Sequence, residues 1–244
     1  MAAYLRRRDV RGRPLRADER ALLGPMIRRS ANGPVGVLIR RMGGVEPLRR
    51  VARAVGHRGF RPVAGLWGTS LVSAGGQARL FARLASLLPP RHKDYAMGLL
   101  RSVVPSQRWG LARARPAGWG IAFKAGWNGR GRVNQAARYT CHGEVVVVVV
   151  LVEGRSHGTS IRRQEQAGRR LLAPLRRRGR DACAAVGRAA DQPARARASH
   201  AVGDAPVRAV NARERPDALE YPSSWASPTS CSPSSSRCWT TAIR

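Results

Sequence analysis

Lysine, acidic residues and aromatic side chains are scarce in this sequence. Its 45 Lys and Arg residues include only two lysines, Lys93 and Lys124, and 14 Asp and Glu leave a formal net charge of +31. Phosphate-binding surfaces commonly use both lysine and arginine, because the compact lysine ammonium and the planar, bidentate arginine guanidinium suit different phosphate contacts. We therefore interpret the scattered arginines as a bias toward GC-rich codons. Non-specific anion binding is expected, and a specific nucleic-acid partner is not.

Long apolar runs are also missing. The longest, residues 145–152, is far shorter than the roughly 20 residues that span a bilayer, so no transmembrane segment is predicted. The first ten residues, MAAYLRRRDV, hold no apolar core of the length found in signal peptides. The sequence as given is expected to be soluble and unexported, and its localisation stays undetermined.

Cysteine and histidine are few and show no ligand spacing. The four cysteines match no zinc or redox pattern and are interpreted as incidental thiols; they are Cys141, Cys183, Cys231 and Cys238. Four histidines without metal-ligand spacing are predicted to lie at the surface or in turns; they are His57, His92, His142 and His157. Neither a cofactor nor a metal is therefore expected.

The first 172 residues show the periodicity of regular structure. Apolar residues at helical spacing predict helices over 18–29, from 37 to a stop at Gly43-Gly44, and over 46–55, 74–88, 92–103 and 160–172. Ser73 is the expected N-cap of the fourth helix, after a loop over 57–72. Between the last two helices, strands are predicted over 118–127, 132–140 and 144–153, which form an antiparallel meander.

Six consecutive valines occupy positions 145–150. Such a run cannot alternate between an apolar and a polar face, so both faces of this strand should be covered and the strand should be central in the sheet.

The remaining residues, 173–244, have a different character. They are Arg/Ala-rich and then Ser/Pro-rich, without hydrophobic periodicity, so disorder is predicted. The abrupt change also suggests out-of-frame translation. The chain is accordingly divided into a domain over 1–172 and a tail over 173–244.

Two tripeptides carry a specific resemblance. Ser30-Ala31-Asn32 follows one helix and precedes another, and Lys124-Ala125-Gly126 lies inside the first strand of the meander. They resemble the S-D-N turn and the K-T-G strand of class A β-lactamases and related penicillin-recognising serine hydrolases of actinobacterial type. The resemblance extends from about Tyr4 to Leu172. It implies an α+β fold of the β-lactamase/transpeptidase type, with a helical region, a three-stranded antiparallel meander and a closing helix.

The resemblance also implies roles for four residues. Ser30 would pass a proton to the leaving nitrogen, and Lys124 would supply a positive charge near the substrate carboxylate and the proton relay. Asn32 would bind the substrate side chain, and Gly126 would let the substrate lie against the strand. The implied substrates of the parent enzyme are β-lactams or peptidoglycan-like amides, and that family acts outside the cytoplasm.

The departures from the family pattern predict an incomplete enzyme. The middle aspartate is replaced by Ala31, the strand hydroxyl by Ala125, and the loop over 57–72 has no Asp or Glu to act as general base. No S-x-x-K nucleophile motif precedes Ser30, while Tyr4-Leu5-Arg6 resembles the end of the helix that carries it. The expectation is a truncated and inactive serine hydrolase fragment.

The net charge supports an alternative, a basic, arginine-rich nucleic-acid-binding protein. The two hypotheses make different structural predictions. A hydrolase fragment predicts an ordered core that ends near Leu172, with Ser30 and Lys124 facing one cleft. A nucleic-acid-binding protein predicts a contiguous arginine face on ordered elements.

Overall fold

The computed structural model describes residues 1–128 and 131–176, together with the backbone of residues 208–209. Its helices, in chain order, are α1 Ala2–Leu5, α2 Arg8–Arg11, α3 Ala17–Arg28, α4 Gly33–Arg41, α5 Glu46–Ala54, α6 Ala74–Leu87, α7 Pro90–Arg101 and α8 His157–Leu171. The strands are β1 Gly120–Trp127, β2 Arg132–Cys141, β3 Glu144–Glu153 and β4 Arg208–Ala209. The predicted order of a helical region, an antiparallel meander and a closing helix is therefore confirmed.

Side-chain caps set the starts of two helices. Ser73 caps α6 as predicted, since its hydroxyl accepts a hydrogen bond from the Gly76 N–H at 3.2 Å. α8 begins at His157, three residues earlier than predicted, because the Ser156 hydroxyl accepts the Thr159 N–H at 3.2 Å and satisfies the first turn there.

The sheet has the order β1-β2-β3-β4. β1, β2 and β3 are antiparallel neighbours, and β4 pairs with β3 in parallel over two residues. The turn between β2 and β3 has positive φ at His142 (45°) and Gly143 (83°), the conformation of a two-residue type I′ hairpin. β3, predicted to be central, lies between β2 and β4, although it pairs with β4 over only two residues.

The valine run divides between two cores. Val146, Val148 and Val150 pack in the cluster beneath α8, whereas Val147 and Val149 pack in a cluster with Phe81 of α6 on the opposite face. All five are at most 3% exposed. Helices therefore cover both faces of β3, as the unbroken run predicts. A third cluster joins α1 to α4, α6 and α7 and reaches Ala122 of β1.

Three smaller predictions are wrong. His57 and His92 are buried, at 5% and 2% exposure, rather than at the surface. Nε2 of His92 lies 3.0 Å from the Val10 carbonyl oxygen, a long-range contact that local sequence does not reveal. Cys141 is disulfide-bonded rather than an incidental thiol.

Two other sequence predictions concern the tail and membrane-spanning helices. The predicted disordered tail, 173–244, lies outside the described residues except for 173–176 and the backbone of 208–209, and the proposed division into two parts stays a prediction. No helix within 1–128 or 131–176 is both long and apolar enough to cross a membrane.

Candidate active site

Ser30 lies in the turn between α3 and α4. Its φ of 56° is in the left-handed region, and the adjacent Ala31 N–H donates to the Pro25 carbonyl at 3.2 Å. This turn reverses the chain at the end of α3 and holds the Ser30 side chain toward the sheet. Left-handed backbone at a residue other than glycine is uncommon, and such residues often belong to functional sites.

Lys124 lies in the middle of β1, opposite Ala136 of β2. Its ammonium donates hydrogen bonds to the Ser30 hydroxyl and, at 2.6 Å, to the Ala125 carbonyl. Burial lowers the pKa of Lys124 to about 8, because removing the ammonium from water disfavours its charged form. These contacts distinguish Lys124 from a fully solvated charge at a strand edge.

Gln107 completes the polar chain. The Ser30 hydroxyl donates to Oε1 of Gln107 at 2.8 Å, and Nε2 of Gln107 donates to the Arg29 carbonyl at 2.8 Å. The Gln107 amide therefore orients the hydroxyl that Lys124 contacts. Sequence reasoning missed Gln107, because a polar residue in a proline-containing turn has no periodicity or motif spacing to distinguish it.

The loop that carries Gln107 is fastened to the sheet by a buried amide. Gln135 of β2, 1% exposed, accepts the Leu111 N–H at 2.7 Å and donates to the Trp109 carbonyl at 3.0 Å. Gly110, between them, has a φ of 60°, and a Cβ there would lie 2.5 Å from Oε1 of Gln135. Glycine is thus required for the close approach of loop and strand.

The other two predicted site residues lie apart from this hydrogen-bonded chain. Asn32 is exposed at the N-cap of α4, and its side chain makes no capping hydrogen bond. Gly126 is exposed on β1, and a Cβ added to it would meet nothing within 4 Å. The space beside Gly126 is open, whereas Ala125, in the position of the family hydroxyl, is 5% exposed.

The arrangement can move a proton. A lysine with a pKa near 8 exists partly as the neutral amine at neutral pH and can accept a proton from a hydroxyl that it contacts. Desolvation is the cause of that lowered pKa. Within the described residues, no group of three or more His, Cys, Asp or Glu side chains could hold a metal ion.

Comparison with known proteins gives a consistent family and fold. Residues 13–177 match the family described as beta-lactamase enzyme family. Among solved structures, a class A beta-lactamase from Mycobacterium abscessus is 21% identical with a TM-score of 0.55, over 64% of this chain and 64% of that chain. A beta-lactamase from Desulfarculus baarsii is 21% identical with a TM-score of 0.53, over 62% and 63%.

An ancestral class A beta-lactamase is 20% identical with a TM-score of 0.55, over 63% of this chain and 64% of that chain. The chain thus spans about 64% of the length of the solved structures that it resembles. No curated protein matches the sequence.

Proposed function

We propose that this chain, which belongs to the beta-lactamase enzyme family, carries the proton-relay part of an acyl-transfer site for β-lactams or peptidoglycan-like amides. The observation that supports this proposal is the contact of the Lys124 ammonium with the Ser30 hydroxyl, which Gln107 holds from the other side. The Ser30 hydroxyl can turn its own proton from Gln107 to a leaving nitrogen and receive another proton from Lys124.

The relay operates when the substrate amide breaks. Ser30 donates its proton to the leaving nitrogen, and the Lys124 ammonium returns a proton to the Ser30 oxygen. Two of the three ammonium donors have partners in Ser30 and Ala125. The third is available for the carboxylate that β-lactams carry, since within the described residues it has no partner.

The strand edge is the proposed substrate platform. β1 is the outer strand of the sheet order in the described residues, and open space lies beside Gly126. An extended amide can lie against such an edge, where backbone N–H groups bind a developing oxyanion. Asn32, exposed two residues after Ser30, is proposed to bind the substrate side chain.

We further propose that the chain as given forms no acyl-enzyme. Neither of its two lysines has a serine three residues before it, so the sequence contains no S-x-x-K nucleophile. Ala31, Ala125 and the absence of Asp and Glu from residues 57–72 remove further groups on which the family's chemistry depends.

A fluorescent penicillin and an NMR titration test the two proposals separately. Incubation with the fluorescent penicillin should give no covalent adduct by mass spectrometry. Unlabelled penicillin should shift the side-chain NMR signal of Lys124 but not that of Lys93. A stoichiometric adduct that is absent from the Ser30→Ala variant would identify Ser30 as the nucleophile and overturn the proposal that the chain forms no acyl-enzyme. No shift of Lys124 at millimolar penicillin would overturn the proposed substrate class.

The nucleic-acid alternative is tested by salt-dependent elution from heparin. If the arginines are a coding bias, the chain should elute where an unrelated protein of matched net charge elutes. Later elution would support an organised anion surface over the whole protein.

A further inference from the structure

Helix α5 has two contrasting faces. Its apolar face carries Leu48, Val51 and Ala52, continued by Val55 just after the helix, and its basic side carries Arg49, Arg50 and Arg53. Leu48 and Val51 are only half-buried although they point inward. They are half-buried because they line an apolar cavity that is partly open to solvent rather than a packed core.

That apolar cavity has a volume of about 240 Å³. Its walls include Leu48 and Val51 of α5, Leu80 and Leu84 of α6, and Leu100 of α7. A cavity of roughly 150 Å³ lined by aliphatic and aromatic side chains binds six-carbon benzene. The present cavity is accordingly large enough for an apolar group of roughly eight to ten carbons.

A second cavity, of about 490 Å³, lies on the basic side of the same helix. Four arginines line it: Arg49, Arg53, Arg58 and Arg61. One carboxylate opposes them, since Glu46 pairs with Arg53 at 2.6 Å and with Arg49 at 3.5 Å. Arg61 contacts the carbonyls of Arg58 and Phe60, at 3.2 and 3.4 Å. The cavity therefore has an excess of positive charge without a matching anion in the described residues.

The two cavities share three lining residues, Ala52, His57 and Phe60. The His57 ring is 5% exposed, and neither ring nitrogen has a hydrogen-bond partner in the described part of the chain. Buried polar atoms are nearly always paired, so an unpaired ring beside both cavities points to a missing partner. Burial, and to a smaller degree Arg79, lowers the pKa of His57, which favours the neutral ring.

We propose that these two neighbouring cavities bind a single-chain amphiphile with a phosphate head group. The alkyl tail occupies the apolar cavity, the phosphate lies among the guanidinium groups of Arg53, Arg58 and Arg61, and the His57 ring hydrogen-bonds to the head group. Guanidinium groups favour phosphate through paired N–H donors. The head-group residues lie outside the Ser30–Lys124 pair, whereas Lys124 lines the apolar cavity, so the alkyl tail would lie beside the proposed acyl-transfer site.

The site is tested by calorimetry with octyl phosphate below its micelle concentration. The affinity is compared with those of inorganic phosphate and octanol, which represent the head and the tail of octyl phosphate. Octyl phosphate should bind at least about tenfold more tightly than inorganic phosphate, because each buried methylene strengthens binding by roughly fourfold. It should also bind at least about tenfold more tightly than octanol, because only its phosphate can pair with the guanidinium groups. Equal affinities for octyl and inorganic phosphate would overturn the role of the apolar cavity and leave a free-phosphate site.

Matched variants locate the head and the tail. Arg58→Ala and Arg61→Ala should each weaken octyl phosphate and inorganic phosphate by about tenfold. Arg83→Ala removes an equal charge from the exposed side of α6 and should change neither by more than about twofold. Val51→Phe should weaken octyl phosphate alone, because the ring fills the cavity. Equal effects of Arg58→Ala and Arg83→Ala would overturn the proposal, with circular dichroism confirming that each variant is folded.

Discussion

The ammonium of Lys124 donates a hydrogen bond to the hydroxyl of Ser30 across 94 residues of sequence. One partner lies in a left-handed turn between two helices and the other lies on an outer strand of the sheet. The contact therefore requires the helical region and the sheet to be docked correctly. It also ties the proposed chemistry to the integrity of the loop that carries Gln107.

The lysine pair offers a direct measurement of the site. With ¹³C at the lysine ε position, the protein should show two side-chain signals, which Lys93→Ala assigns. Because burial disfavours the charged form, the Lys124 signal should titrate with a midpoint of about 8. In the Ser30→Ala variant, Lys124 should keep a lowered titration midpoint, since burial rather than the Ser30 hydroxyl lowers its pKa. A midpoint of Lys124 near the ordinary 10.5 would contradict the buried placement.

Gly110→Ala should destabilise the fold. The left-handed backbone disfavours alanine by about 1–2 kcal/mol, and the new Cβ would also collide with Gln135 at 2.5 Å. The expected loss in the free energy of unfolding is at least about 2 kcal/mol by urea denaturation. Gly98→Ala, within α7 and with no atom within 4 Å of the added carbon, is the control and should be neutral or stabilising by up to about 1 kcal/mol.

Glu19 should make stability depend on acid pH. Its carboxylate is 2% exposed and receives hydrogen bonds from Arg13 at 2.7 and 2.8 Å, from the Arg16 N–H at 2.7 Å and from Tyr4 at 2.9 Å. The Arg13 guanidinium, opposed by burial, lowers the pKa of Glu19 from 4.5 to about 2.

A carboxyl whose pKa is lowered in the folded state stabilises the protein at pH values above its pKa in the unfolded state. This contribution is lost as the pH falls through the folded-state pKa. Stability should therefore drop between pH 4.5 and 2, by on the order of 2–3 kcal/mol. Glu19→Gln should be less stable than the parent at pH 7, and the difference should shrink toward pH 2. A difference that is independent of pH would show that packing, not charge, explains the effect.

The valine run predicts that substitutions on either face of β3 lower the stability of the protein by similar amounts. Val147→Ala and Val148→Ala each remove buried methyl groups from opposite cores, and each should lower the free energy of unfolding by about 2 kcal/mol. Val145→Ala, at a half-buried position, should lower it by under about 1 kcal/mol. If only one of the two buried substitutions destabilises the protein, one face of the strand is not a core.

Much of the fold could be predicted because its signals are local. Helical spacing located α3 to α8, turns with glycine located the ends of the strands, and a serine followed by small residues located the start of α6. Family resemblance singled out Ser30 and Lys124, whose catalytic roles stay predictions. The predicted start of α8 is three residues too late, since Ser156 caps the helix through the Thr159 N–H without an apolar pattern to mark the position.

The sequence by itself determined the order of the elements and the burial of the valine strand, because periodicity depends on neighbours in the chain. Only the tertiary structure decided that His57 and His92 are buried, that Gln107 orients Ser30 and that Gln135 fastens the loop at Gly110. Those placements depend on partners that lie far away in the sequence. Burial also changes the pKa of Lys124, and burial is a property of packing that no local pattern specifies.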